Sequence, residues 1–206
     1  LEHITDLIKG KETISSGMTR EEERCRVAIE RAAAGAIVSL VSSGDPGVYG
    51  MAGLAIELAQ QMAPDLNLEI VPGISAANTA AASMGAPLML DYAVISLSDL
   101  LVPWDMIRRR LEAVAAADLV VALYNPRSTK RVNQLMEAVE IFLRHRLPKT
   151  PVGVGTAVGT GDQQIVHSTL GNLLTLEVNM RSLVIIGNTH SKRMNDWFVT
   201  PRGYEV

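Results

Sequence analysis

Aromatic side chains are scarce in this chain of 206 residues, where Phe, Trp and Tyr together make up 4%. The core must therefore be aliphatic, which suits helices packed on a sheet better than an aromatic-rich sandwich. The single cysteine, Cys25, excludes an internal disulfide and a multi-cysteine metal site. No apolar run approaches the ~20 residues that cross a bilayer, and no signal-peptide pattern opens the chain. We therefore expect a soluble, cytoplasmic protein without membrane contact.

A strong basic excess is also absent, because 19 Lys and Arg stand against 22 Asp and Glu. A nucleic-acid partner is therefore not expected. The charge is unevenly distributed: residues 1–100 carry six basic and thirteen acidic side chains, and residues 101–206 carry thirteen and nine. An anionic ligand is accordingly expected to bind the second half of the chain.

Hydrophobic periodicity predicts alternating strands and helices, the rhythm of a parallel α/β sheet. Thr19 and Glu22 form a capping-box pattern that opens the first helix, and Gly35 ends it. Further helices are expected at residues 51–62, 76–84, 104–116 and 131–144. Strands are expected at residues 37–41, 68–71, 119–124, 152–154, 164–169 and 183–186. The rhythm breaks between residues 85 and 103, so we expect an N-terminal lobe over 1–98 and a C-terminal lobe over 99–206.

The segment from Gly44 to Gly50 reads Gly-Asp-Pro-Gly-Val-Tyr-Gly and follows a predicted strand. Open α/β sheets bind ligands outside the carboxyl ends of their strands, and glycine lets a backbone approach a ligand closely. Asp45 could there accept hydrogen bonds from a ribose or an ammonium group. The alternative is a tight turn in which Asp45 caps the following helix. The segment matches neither a dinucleotide-binding fingerprint nor a phosphate-binding loop, so NAD and ATP have no motif here.

Three further turns follow predicted strands. One spans residues 72–76, although Ser75 has the alternative role of capping the next helix. The others are Tyr124-Asn125-Pro126 and Gly187-Asn188-Thr189. Each is compatible with an ordinary turn, because Asn, Gly and Pro are turn formers. Four such turns favour a ligand crevice, and we expect all four to face it.

Two arginines of the second half are candidates for gripping a carboxylate. Arg127 and Arg131 are four residues apart, so on a helix they would share a face. The alternative for each is a solvated surface charge. The four histidines have no spacing typical of zinc ligands, so no metal site is expected.

The motifs are more specific together than singly. Residues 44–53 and 71–76, Ser-Leu-Ser-Asp-Leu-Leu at 96–101, Tyr-Asn-Pro-Arg at 124–127, and residues 186–189 and 200–204 resemble the tetrapyrrole (corrin/porphyrin) methylases. Within that family they are similar to the branch that methylates precorrin-3B, or its cobalt form, at carbon 17. The resemblance covers essentially the whole chain. It implies the two-lobed α/β fold of class III S-adenosylmethionine methyltransferases, with a cleft between the lobes.

The resemblance also implies the ligands. S-adenosylmethionine would be the cofactor and S-adenosylhomocysteine its product. The donor would contact Ser43, Gly44, Asp45, Val48, Ser75, Ala76, Asn125, Ala157 and Thr189. Arg127 and Arg131 are expected to bind carboxylates of the tetrapyrrole. Ser98, Asp99 and His190 are expected to guide acid–base steps of the ring contraction that accompanies methylation.

The many Ala and Met residues, together with the resemblance, predict a homodimer that buries apolar surface. The family begins with a strand that ends in a Gly-x-Gly-Pro-Gly turn, and this chain starts with what resembles the helix after it. We therefore expect the first lobe to lack that strand. Two other functions stay open: a related class III methylase that acts on RNA or protein, and a non-catalytic binding or scaffold chain. Donor titration followed by a turnover assay separates them.

Overall fold

The computed structural model of the chain describes residues 4–17, 20–129 and 131–204. Thr19 of the expected capping box lies outside these ranges. The chain divides into two compact units, Leu1–Ser75 and Ala76–Val206. The lobe boundary expected between residues 98 and 99 stays a prediction. Within the described ranges, no helix is both long and apolar enough to cross a membrane.

The described residues of the first unit form two α-helices, both close to their predicted bounds. α1 (Glu21–Ala33) carries three acidic residues in its first turn, where the helix dipole stabilises negative charge. α2 (Ala52–Met62) is rich in Ala and Leu, which are strong helix formers. The two helices share a small aliphatic core that consists of Cys25, Ile29, Ala55, Leu58 and Ala59.

Residues 37–41 and 68–71 are not strands, so the prediction for them is wrong. Across the described part of the first unit, neither segment has a hydrogen-bonded strand partner. Their apolar side chains are exposed, with Ile37 fully exposed and Val71 at 68%. A strand exists only when a neighbour satisfies its backbone N–H and C=O groups, and an apolar pattern cannot supply that neighbour. Both segments instead line a groove of about 740 Å³ beside α1 and α2.

The second unit is a sheet covered by helices. Its helices α3 (Ala76–Met84), α4 (Trp104–Ala116) and α5 (Asn133–Leu143) lie within two residues of their predicted bounds. A small sheet has the strand order β1 (Gly85–Ala86), β8 (Trp197–Val199), β7 (Lys192–Met194). The main sheet has the order β2 (Tyr92–Ser96), β3 (Val120–Tyr124), β6 (Ser182–Ile186), β4 (Pro151–Thr156), β5 (Gln164–Thr169).

The main sheet is mixed rather than parallel, which corrects the expected rhythm. β2 and β3 are parallel, whereas β6 is antiparallel to both β3 and β4, and β5 is antiparallel to β4. The carboxyl ends of β2, β3 and β4 therefore meet the amino end of β6. We call this the Tyr124 end of the sheet, and we call the opposite one the Val120 end. β2 itself lies in the segment where the sequence predicted a break.

Both faces of the main sheet are buried. Val121 and Leu123 belong to the cluster that contains α4 and α5, and Val120 and Ala122 belong to the cluster that contains α3. Alternate residues of a strand point to opposite faces, so a strand covered on both sides reads as a continuous apolar run. A Cβ on Gly153 of β4 would lie 2.3 Å from the sulfur of Met84, so glycine lets α3 pack directly on the sheet.

Candidate functional site

In the first unit, the Asp45 carboxylate joins two of the predicted donor turns. Its Oδ1 accepts the backbone N–H of Gly47 (2.8 Å), and its Oδ2 accepts the backbone N–H of Gly73 (3.1 Å). These two hydrogen bonds lower the pKa of Asp45 from its ordinary value of 3.8, the one from Gly73 most strongly. α2 begins at Ala52 without a side-chain cap, so the capping role that the sequence left open is not found.

The two turns also touch through their backbones. A Cβ at Gly73 would lie 2.2 Å from the carbonyl oxygen of Gly44, so only glycine permits this approach. Ser43 and Val48 are exposed near these turns, and Ser75 is half-buried where the first unit ends. The pair of turns is therefore a closely packed surface that offers mainly backbone groups to a ligand.

In the second unit, the Tyr124 end of the sheet gathers most of the predicted site residues. The segments after β2, β3 and β4 all leave at this end, because the three strands run in the same direction. α3 also begins here, since the backbone N–H of Ala77 donates to the Tyr124 hydroxyl (3.0 Å). The predicted residues that come to this end are Ala76, Ser98, Asp99, Asn125, Arg127, Arg131 and Ala157.

Asn125 is held by two hydrogen bonds, one to the end of β2 and one to a later residue of its own segment. Its Nδ2 donates to the hydroxyl of Ser96 (3.0 Å), and its carbonyl accepts from Nη2 of Arg131 (3.2 Å). Arg131 Nη1 also donates to the hydroxyl of Ser98 (3.1 Å). Asp99 is exposed and accepts from Gln134 of α5 (2.9 Å). The segments after β2 and β3 are thus tied to each other by side chains.

Ala157 lies beside the start of β6. Its N–H donates to the carbonyl of Arg181 (3.0 Å), and its carbonyl accepts from the Thr160 hydroxyl (2.8 Å). The hydroxyls of Thr156 and Ser182 share a hydrogen bond of 2.8 Å across the two strands. With both its backbone groups already engaged, Ala157 has its methyl group left to offer a ligand.

Three residues in the predicted donor turns have a left-handed backbone conformation. Tyr49, Asn125 and Ala157 have φ values of 54°, 50° and 51°, in the left-handed region that non-glycine residues rarely adopt. Such conformations cost about 1–3 kcal/mol and cluster at ligand-binding positions. One lies in the first unit's Gly-rich turn and two at the Tyr124 end, whereas Asp118 and Asn195, with φ values of 53° and 55°, lie outside these turns, so left-handed backbone is not confined to the predicted donor site.

Thr189 and His190 do not join this group. They follow β6, which runs antiparallel to β3, so they lie at the Val120 end of the sheet. The length of β6 from Ser182 to Ile186, about 13 Å at ~3.3 Å per residue, separates this end from the Tyr124 end. The N–H and hydroxyl of Thr189 both donate to Asp118, which lies two residues before the start of β3. The expectation that all four turns face one crevice is therefore wrong for this turn.

A buried arginine organises the Val120 end. The Arg146 side chain is fully buried and donates to the carbonyls of Gly187 and Leu119, and its Nε lies 3.6 Å from Asp118. Burial lowers the pKa of Arg146 to about 10, while Asp118 acts against that shift. The guanidinium therefore stays charged at neutral pH. Sequence reasoning missed it, because nothing in its spacing separates it from a surface arginine.

Sequence reasoning also missed Ser96, Ser182 and the hydroxyl of Tyr124. Each stands at the first or last position of a strand at the Tyr124 end, and a polar residue there was the available signal. Arg127 is half-buried and has no hydrogen bond or ion pair to another described residue. Among the residues that the structure describes, no group of three His, Cys, Asp or Glu could hold a metal ion.

Comparison with known proteins identifies relatives along the whole chain. The family described as tetrapyrrole (corrin/porphyrin) methylases matches residues 2–174. The cobalt-factor III methyltransferase of Priestia megaterium is 44% identical over 209 residues, which is 100% of this chain but 39% of that protein. The probable cobalt-factor III C(17)-methyltransferase of Salmonella typhimurium is 44% identical over 205 residues, 99% of this chain and 85% of that protein. The precorrin-3B C(17)-methyltransferase of a Sinorhizobium species is 42% identical, covering 93% and 78%.

Solved structures give the same picture. The methyltransferase CobJ superposes with a TM-score of 0.83 at 36% identity, over 93% of this chain and 80% of that one. Uroporphyrin-III C-methyltransferase of Thermus thermophilus, complexed with S-adenosylhomocysteine, has a TM-score of 0.65 at 22% identity, over 86% and 77%. The second similarity concerns the fold alone.

Proposed function

The chain belongs to the tetrapyrrole (corrin/porphyrin) methylase family, and on that premise we propose that it methylates ring carbon 17 of a cobalamin-pathway tetrapyrrole. The substrate is precorrin-3B or its cobalt form, and ring contraction accompanies the transfer. The observation that carries this proposal is the identity of 42–44%, over 93–100% of this chain, to proteins named for that reaction. Since the chain spans only 39% of the Priestia protein, the activity of any longer protein is part of the same proposal.

The residues at the Gly-rich turns fit S-adenosylmethionine, because their strained backbones and close glycine contacts suit a ligand held largely by main-chain groups. When bound, the donor would supply a sulfonium methyl group for in-line attack by a ring carbon, in which the new carbon–carbon bond forms as the methyl–sulfur bond breaks and the electron pair stays on sulfur. The residues proposed to hold the donor are Ser43, Gly44, Asp45, Val48, Ser75, Ala76, Asn125 and Ala157. Thr189 is left out because it lies at the Val120 end.

The protein's part in the transfer is positioning and the exclusion of water, since alkylation at carbon needs no built-in base. The acid–base steps of ring contraction do need polar groups. We keep Ser98 and Asp99, which both lie at the Tyr124 end, as the proposed acid–base groups. His190 lies at the opposite end of the sheet, which argues against such a role for His190. Of the two proposed groups, Asp99 is exposed, and one of its carboxylate oxygens accepts a hydrogen bond from Gln134 (2.9 Å).

Arg127 is the proposed ligand for the carboxylates of the ring, because it stands at the Tyr124 end with no described side-chain partner. Arg127→Ala should weaken binding of uroporphyrin, a stable polycarboxylate porphyrin, by about 1.5–3 kcal/mol, the usual value of a charged hydrogen bond. Donor affinity should barely change. Fluorescence titration with uroporphyrin and calorimetric titration with S-adenosylhomocysteine measure the two, and equal losses would show that Arg127 supports the fold instead.

The test of the function itself is S-adenosylhomocysteine binding followed by turnover of the cobalt and the metal-free ring, read by mass spectrometry as the addition of one methyl group. Donor binding without any methylated ring would favour an RNA or protein substrate, and the absence of donor binding would favour a scaffold. The homodimer and the cytoplasmic location expected from the sequence belong to this proposal. Sedimentation that finds only monomer at micromolar concentration would contradict the former.

A further inference from the structure

We propose that Arg131 is a positioning residue that holds Asn125 in its donor-binding conformation, and not a ligand for the substrate's carboxylates. The inference rests on the proposed function. It begins from the guanidinium, whose two terminal nitrogens both donate to protein acceptors on different segments. Nη2 reaches the carbonyl of Asn125 (3.2 Å), in the segment after β3, and Nη1 reaches the hydroxyl of Ser98 (3.1 Å), in the segment after β2.

The third nitrogen is also turned inward. Nε of Arg131 is buried without a hydrogen-bond acceptor in the part of the chain that the structure describes. A carboxylate is gripped best by two parallel N–H groups on one edge of a guanidinium. Here the edge that includes Nε is closed to solvent, and both terminal nitrogens are already engaged. The geometry therefore suits a brace inside the protein better than a receptor for an incoming anion.

The backbone around Arg131 reinforces this arrangement. Its N–H donates to the Ser128 hydroxyl (3.1 Å), and its carbonyl accepts the N–H of Ser128 (3.0 Å). The segment after β3 thus closes on itself as a short loop, with the guanidinium folded back to the residue at which the loop begins. That residue is Asn125.

Asn125 has a φ of 50°, in the left-handed region that asparagine adopts more readily than other non-glycine residues, and its contacts hold it there. A strained conformation persists only where the surroundings over-determine it. The Asn125 side chain is tied to Ser96 (3.0 Å) and its carbonyl to Arg131, so the two contacts fix both the side chain and the backbone carbonyl of this residue. Loss of the Arg131 contact should therefore loosen a donor-binding residue without touching the surface that the ring meets.

The test compares two arginines of one loop. Arg131→Gln should weaken S-adenosylhomocysteine binding about tenfold, or about 1.4 kcal/mol, and leave uroporphyrin binding within about twofold. Arg127→Gln should do the reverse. Arg109→Gln, an exposed site on α4 with no described partner, is the matched control and should change neither affinity. Calorimetry, fluorescence quenching and thermal melts are measured on each protein.

Ser98→Ala tests the route of the effect. Because Ser98 and Arg131 act through one contact, adding Ser98→Ala to Arg131→Gln should weaken donor binding no further, a non-additivity typical of partners in one network. If Arg131→Gln fails to fold, Arg131→Lys replaces it, since a single ammonium lacks the rigid fork that places two nitrogens against the two acceptors, and a loss of donor affinity is again expected.

Three results would overturn the inference: unchanged donor affinity in a folded Arg131 variant, a loss confined to uroporphyrin, or equal losses of both ligands. A wild-type protein that does not bind S-adenosylhomocysteine would instead overturn the proposed function, and this inference with it. Wild-type binding is measured first, so the two failures are distinguishable.

Discussion

Removal of a single oxygen atom, in Tyr124→Phe, should weaken donor binding. The Tyr124 hydroxyl accepts the backbone N–H of Ala77 (3.0 Å), near the first residue of α3. The first N–H groups of a helix have no partner within the helix, so an outside acceptor fixes where the helix starts. Tyr124 is also the last residue of β3 and directly precedes Asn125. Its hydroxyl therefore fixes the start of α3, at Ala76, relative to the Asn125 turn.

The magnitude follows from the loss of the hydrogen bond from Ala77. Phenylalanine keeps the ring, which packs against the cluster of α3 and the sheet, so no cavity forms. A part-buried N–H left without its acceptor costs about 1–2 kcal/mol, close to the cost of deleting a helix N-cap. If the same contact holds the donor site in shape, a comparable loss of binding free energy corresponds to a roughly five- to thirtyfold weaker Kd.

The assay is calorimetric titration of wild type and Tyr124→Phe with S-adenosylhomocysteine, beside urea unfolding. The reasoning requires both the free energy of unfolding and the donor affinity to fall. A variant that loses stability but binds the donor as tightly as wild type would refute the positioning role and leave Tyr124 as a helix cap only. Tyr124→Leu is a useful second variant, because it removes the ring as well and should cost more stability than the loss of the hydroxyl.

Asp45→Asn should make the free energy of unfolding less sensitive to acid. The pKa of Asp45 is lowered in the folded protein, so its carboxylate stabilises the fold at pH values above its ordinary pKa of 3.8, and this stabilisation is lost as the pH falls through the folded pKa. Urea unfolding at neutral and acidic pH should show a smaller acid-induced loss in the variant. Ile37→Thr should change the free energy of unfolding by less than about 0.5 kcal/mol because Ile37 is fully exposed, whereas Ile29→Ala should cost about 2–4 kcal/mol, and equal effects would contradict the assigned burial. Arg146→Met should cost about 3–5 kcal/mol, because two carbonyls and a carboxylate lose their buried partner, yet a folded variant should bind S-adenosylhomocysteine normally.

The helices could be predicted because local sequence determines them. α4 begins at Trp104, directly after a proline that cannot continue a preceding helix, and its bounds agree with the prediction at both ends. The periodic aliphatic residues of α5 and the alanines of α3 likewise specify a helix before any packing is considered. Strands β3 and β5 were also predicted to within one residue. β3 has a neighbouring strand on each side, and β5 has a clear turn at each end.

The two failed strands of the first unit show where local information stops. The segment at 37–41 is apolar and β-branched, as the buried strand β6 is, but a ladder needs a second chain segment at about 4.8 Å. In the described part of the first unit no such segment lies beside it, and its side chains line an open groove. The apolar sequence therefore indicated a segment that could form a strand, but it could not show whether a partner strand lies beside it.

Strand direction decided which predicted residues share a site, and one signal for it was present in the sequence. Only seven residues separate Thr156 from Gln164, and a parallel crossover needs about a dozen or more, so β4 and β5 had to be antiparallel. The next connection, residues 170–181, has the dozen residues that a crossover needs, and it carries the chain across β4, so β6 runs in the same direction as β5 and opposite to β4. With β6 reversed, the residues that enter this strand reach the Tyr124 end, where Ser182 bonds to Thr156, and the residues that leave it, Thr189 among them, are carried to the opposite end. The rule that ligands bind beyond the carboxyl ends of strands applies to parallel neighbours, and its use on β6 is what misplaced the turn at residues 187–189, whereas Thr189 and His190 as site residues came from the resemblance.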